Sequence, residues 1–165
     1  MTNQYLATYL IDHLAGSVAA LELLEELKAT YADTALTNFF TQLQTDIAAD
    51  REELQTLMDR LQIVENQPRK VIAWLAEKSI ALKLRVDDNA RGPLRLLESL
   101  ETVGLGIHGK LAMWHALNVA AADFPPLQGL VDYERLAQRA EEQRRRVEVV
   151  RLEAAKAAFA AERTT

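Results

Sequence analysis

The 165-residue chain has no cysteine, which removes thiol nucleophiles, disulfide staples and Cys-ligated zinc or iron–sulfur centres from consideration. Breakers are scarce: six glycines and four prolines punctuate the whole sequence, so the elements between them are long. No apolar run approaches the ~20 residues that a membrane-spanning helix requires. The opening "MTNQYLATYL" lacks the basic region and apolar core of a secretory signal. A soluble, cytoplasmic protein with no membrane partner is the expectation. Strong charge of one sign is also missing, the net value being −5. The basic-leaning stretch through Arg69, Lys70, Lys78, Lys83, Arg85, Arg91 and Arg95 has neither aromatic interleaving nor a glycine-rich phosphate loop. No nucleic-acid partner is therefore expected.

What is present is apolar residues at i, i+3, i+4, i+7, which predicts an all-α domain over 1–165. Helices are expected at 3–31 and 34–62, joined at "TYADTAL", where Asp33 or Thr34 can cap the second helix. A join this short makes an antiparallel hairpin. Pro68 suits the start of a shorter helix at 69–86, Pro93 opens a helix at 93–122, and Asp132 suits the N-cap of a last one at 133–162. The four long helices, each about 45 Å at 1.5 Å per residue, fit side by side as a bundle. The short helix and its linkers carry the chain from one end back to the other.

Two hairpins, 3–62 and 93–162, joined by a crossover over 63–92 resemble a ferritin-like four-helix bundle across nearly the whole chain. "YLIDHLAGSVAALELLEEL" with "GLGIHGKLAMWHAL" is also similar to a group of small bacterial proteins of that superfamily. The resemblance implies a di-iron centre built from Glu-x-x-His pairs, and this sequence lacks them. Three residues before His13, His108 and His115 stand Leu10, Leu105 and Ala112. Where the family would place its pairs, the chain offers Asp50 with Glu53, and Glu141 with Arg144, whose positive charge repels a cation. The family's metal ligands therefore do not carry over, and no cofactor is expected.

The predicted core seams carry polar exceptions. They are His13 and Ser17 in the first helix, Asp50 in the second and Gln143 in the last, with Glu101 and His108 on the flank of the 93–122 seam. With ferritin-like connectivity and equal rise per residue, His13, Asp50, His108 and Gln143 fall within about one turn of one level. Gly104, Gly106 and Gly109 lie near that level with Gly16 opposite, each costing a helix about 1 kcal/mol relative to alanine. Close approach of two helices is the expected reason, and room for a ligand the alternative.

Two function classes follow. The first is a non-enzymatic scaffold or interaction protein whose layer is a hydrogen-bond network, with Asp50 accepting from His13 and Gln143. In that reading Asp50→Asn is tolerated. The second is a binding protein or enzyme that uses the layer for a small ligand or one divalent metal held by His13, Asp50 and His108. Apolar residues off the seams, Leu23, Phe39, Trp74 and Phe159, add the expectation of a homodimer beside an unidentified protein partner.

Overall fold

Asn3 and Thr34 start the first two helices by the same chemistry, a side-chain oxygen accepting an otherwise unpaired backbone N–H. In the computed structural model, which describes residues 3–64 and 92–160, Asn3 Oδ1 accepts from the Tyr5 N–H at 2.9 Å and opens α1, Gln4–Thr30. Thr34 Oγ1 accepts from the Leu36 N–H at 3.2 Å and opens α2, Ala35–Arg60. Asp33 has φ of 63°, the left-handed conformation that aspartate tolerates better than most residues, and this reverses the chain between them. Pro93 occupies the first turn of α3, Pro93–Ala120. A single 3₁₀ turn at Pro125–Leu127 follows, pinned by the Tyr133 hydroxyl, which donates to the Leu127 carbonyl at 2.9 Å. Asp132 Oδ1 then accepts from the Arg135 N–H at 2.9 Å as α4, Tyr133–Ala160, begins. The described residues are helical or loop, with no strand. The helix expected at 69–86 and Trp74 lie outside them.

Side-chain packing fixes the helix directions. One apolar cluster joins Leu10 and Leu14 of α1, Leu54 and Leu57 of α2, Trp114 and Leu117 of α3, and Tyr133 and Leu136 of α4. A second joins Leu24 and Leu27, Phe40 and Leu43, Leu97 and Leu100, and Val147 and Ala154 from the same four helices. The C-terminal parts of α2 and α3 therefore share one end of the bundle. These two helices run in the same direction, and each is antiparallel to its hairpin partner. The Tyr31 hydroxyl at the end of α1 lies 3.4 Å from the Gly92 carbonyl before α3, as this arrangement requires.

The buried stripe of α2 is Phe40, Leu43, Ile47, Asp50, Leu54, Leu57 and Leu61, in the phase its periodicity predicts, and α4 likewise buries Leu136, Ala140, Gln143, Val147 and Ala154. On α3 the stripe departs from the predicted one. Val103 is buried in place of Gly104, and the residue in phase between Ile107 and Trp114 is Lys110, with Leu111 only half-buried. Leu23 and Phe39 pack against the second cluster, while Phe159 is exposed. The apolar surplus expected to drive a homodimer is thus partly used inside the bundle.

The phase of α3 has a measurable consequence. Leu100→Ala removes a fully buried side chain and should cost about 2–5 kcal/mol in urea unfolding, whereas Leu111→Ala should cost about 1 kcal/mol. Equal losses would contradict the assigned phase.

Candidate functional site

The two dry clusters are separated by a layer of charge. Asp50 is almost fully buried on α2. Its Oδ2 accepts from the Lys110 ammonium of α3 and, at 2.7 Å, from Gln143 Nε2 of α4, while Gln143 Oε1 accepts from Lys110. The three side chains close a triangle across three helices. Arg139 Nη2 of α4 lies 2.7 Å from Asp50 Oδ1. This is an ion pair without hydrogen-bond alignment, so Oδ1 has charge compensation but no directed donor. Burial pushes the Lys110 ammonium below the ordinary lysine range, against the opposing pull of Asp50. Further ion pairs extend the contact between α2 and α4: Glu53 with Arg135 at 2.7 Å, and Asp46 with Arg146.

Against this layer lies a cavity of about 400 Å³ between α1, α2 and α3. It exists because the helices facing it present small residues, Gly16, Ser17 and Ala20 on α1 and Gly106 and Gly109 on α3. Ile47, Leu54, Ile107, Met113 and Trp114 give it apolar walls, and Asp50, Arg51 and Lys110 give it polar ones. Tyr9 and the exposed Asp12 stand at its rim. No described atom lies within 4 Å of where a Cβ would stand on Gly16, Gly106 or Gly109, and Gly104 would meet only Val147 Cγ1 at 3.9 Å. The expected reason for these glycines, close helix approach, is thereby corrected: among the described residues, nothing crowds three of the four.

The sequence-predicted residues divide into three groups. Asp50 and Gln143 form the layer. His13 and Ser17 line the cavity but do not bond to Asp50. The Ser17 hydroxyl donates to the Leu14 carbonyl at 2.5 Å, as serine commonly does within a helix. His13 stacks edge-on against Tyr9 at 4.6 Å, and burial lowers its pKa while Asp12 opposes the shift. The donor expected of His13 is supplied instead by Lys110. Glu101 and His108 belong to neither structure. Both are exposed and border a groove between α3 and α4, where Glu101 pairs with Arg151 at 3.3 Å. The alternative metal site of His13, Asp50 and His108 is therefore not assembled, because His108 faces away from the other two. Among the described residues no group of three His, Cys, Asp or Glu side chains is placed to hold a metal ion. The single carboxylate of the layer is already flanked by two cations, so the residues do not fit a di-iron centre either. Arg144 is outside the layer too, paired with Glu141 at 2.8 Å and holding that carboxyl at about 2.

Sequence reasoning missed Lys110, Arg139, Arg51 and Trp114 as members of this region. Lys110 had a signal: after Ile107 a seam steps by three or by four, and the three-step reaches the lysine. No helix among the described residues is long and apolar enough to cross a membrane. Compared with known proteins, the chain matches no family model, and no curated protein or solved structure shows significant similarity to it.

The layer alters the expected effect of neutralising Asp50. Because two cations depend on its charge, Asp50→Asn should cost about 3 kcal/mol in urea unfolding, rather than being tolerated. Adding Lys110→Met removes one stranded cation and should recover much of the loss. An Asp50→Asn variant as stable as wild type would contradict the charge pairing. His13 gives a pH signature. Its folded pKa lies below its ordinary 6.5, so between the two values the unfolded chain binds more protons and stability rises with pH. The contribution is complete above 6.5 and lost as pH falls through the window down to the lowered folded value. The stability difference between wild type and His13→Gln should accordingly shrink from about pH 7.5 to about pH 5. A difference that stays constant or grows on acidification would reverse the assignment.

Proposed function

We propose that this protein is a non-enzymatic binding protein that holds a small, largely apolar molecule in the mid-bundle cavity. Its helix order, with α2 and α3 parallel, supports a ferritin-like bundle in which a charged layer and an open volume occupy the middle of the core. The observation that carries the reading is the set of glycines at 16, 106 and 109. Each lies inside a helix, where glycine costs about 1 kcal/mol relative to alanine. None is required by a described neighbour. A purely structural bundle gains by filling such a space, both in helix propensity and in packing; a bundle that must admit a molecule does not. The volume falls within the ~300–1,000 Å³ range of small-molecule sites, and apolar walls with few polar groups are the usual composition. Catalysis has less support. The Ser17 hydroxyl is spent on its own helix, and the Lys110 ammonium is taken up by Asp50 and Gln143.

The test is to fill the space. N-phenyl-1-naphthylamine, a neutral apolar dye, should brighten on binding wild type and fail to do so with Gly109→Leu. The variant should also melt at a higher temperature, since leucine gains about 1 kcal/mol over glycine in a helix. Undiminished dye binding by a folded Gly109→Leu variant, or no binding by wild type, would refute the cavity as the site.

A further inference from the structure

We infer that the molecule held in the cavity carries a carboxylate on its apolar body, an inference that rests on the binding role proposed above. Donors are left over among the residues that line the cavity. Trp114 is fully buried and lines the space, and among the described residues its Nε1 has no hydrogen-bond partner. Arg51 also lines it, and among the described residues its buried Nε has no hydrogen-bond partner and its guanidinium no ion pair. Lys110 has three N–H donors, of which Asp50 and Gln143 take two. Each buried donor without an acceptor costs about 1–3 kcal/mol, so these groups select for a ligand that accepts.

Charge narrows the class. Asp50 lies between Lys110 and Arg139, the second of which also stands 3.8 Å from Glu53, and Arg51 adds a positive charge that has no ion pair among the described residues. Asp12 opposes them from the exposed rim, where water screens it. A carboxylate supplies two oxygens with about four acceptor positions, and charge-assisted bonds to it are roughly twice as strong as neutral ones. An amine would add donors to a surplus of donors. An alcohol would bring acceptor capacity without charge. The walls formed by Ile47, Leu54 and Met113 suit a hydrocarbon chain or ring, and a monocarboxylate of about eight carbons fits well within the volume.

Calorimetric titration of the full chain with octanoate, octanol and octylamine at neutral pH tests this. Octanoate should bind at least about tenfold more tightly than octanol, a ratio equal to about 1.4 kcal/mol, and octylamine should bind least. Arg51→Met should erase the octanoate advantage over octanol, with an unchanged circular-dichroism spectrum and a cooperative melt showing that the variant is folded. Trp114→Phe, which removes one donor but keeps a ring, should reduce the advantage independently. Octanol binding as tightly as octanoate would overturn the carboxylate while leaving the cavity reading intact. Dye binding without binding of any of the three would do the same. Failure of all three together with the dye would overturn both.

Discussion

One buried carboxylate holds three helices in register. Asp50 reaches Lys110, Gln143 and Arg139 only in one rotational and axial setting of α2, α3 and α4. A shift of α4 by one turn, about 5.4 Å, would carry both of its partners away and leave the anion alone in the core. The apolar clusters on either side have no such preference, because burial of leucine and valine is non-directional. The layer contributes less to stability than to choice among packings, since desolvating an ion pair offsets most of its attraction. The acid stripe of α2, Asp46, Asp50 and Glu53, repeats this selection against Arg146, Arg139 and Arg135 on α4.

The cavity and the layer depend on each other. Removing side-chain bulk at Gly16, Gly106 and Gly109 opens the space, while the charged groups beside it prevent the helices from closing over it without stranding Lys110 or Arg51. A void walled only by leucine can collapse. One bordered by Lys110, whose position is fixed by Asp50, is held open.

The positions of the four long helices, two of the caps and the α2 and α4 seams were legible in the sequence, because all follow from periodicities and local chemistry that a single chain displays. The polar level was legible as well: Asp50 and Gln143 were the lone polar members of their seams, and they meet. Its composition was not. A histidine on the α1 seam drew attention that belonged to Lys110, since a lysine at a three-residue step reads as the solvated edge of a stripe until the neighbouring helices are placed. His108 failed for a related reason. Residues seven apart share a helix face, but the phase of α3 turns that face outward. The glycines could be read as costly but not as open, because the space beside a residue is a property of other helices.

Among the described residues, α1 takes no part in the Asp50 network. Its polar ties to neighbouring helices, Lys28 and Glu25 to Gln44 and Tyr31 to Gly92, all lie toward its C-terminal end. Among the described residues, the half that walls the cavity is fastened by apolar contacts, Leu10 and Leu14 in the cluster with Leu6, Ala7 and Ile11 packed against it. Contacts of that kind slide with little penalty, whereas hydrogen bonds must break. Charge thus ties α2, α3 and α4 together at mid-bundle, whereas the N-terminal half of α1 joins them through apolar contact, so the two halves of the first hairpin are held in register by different forces.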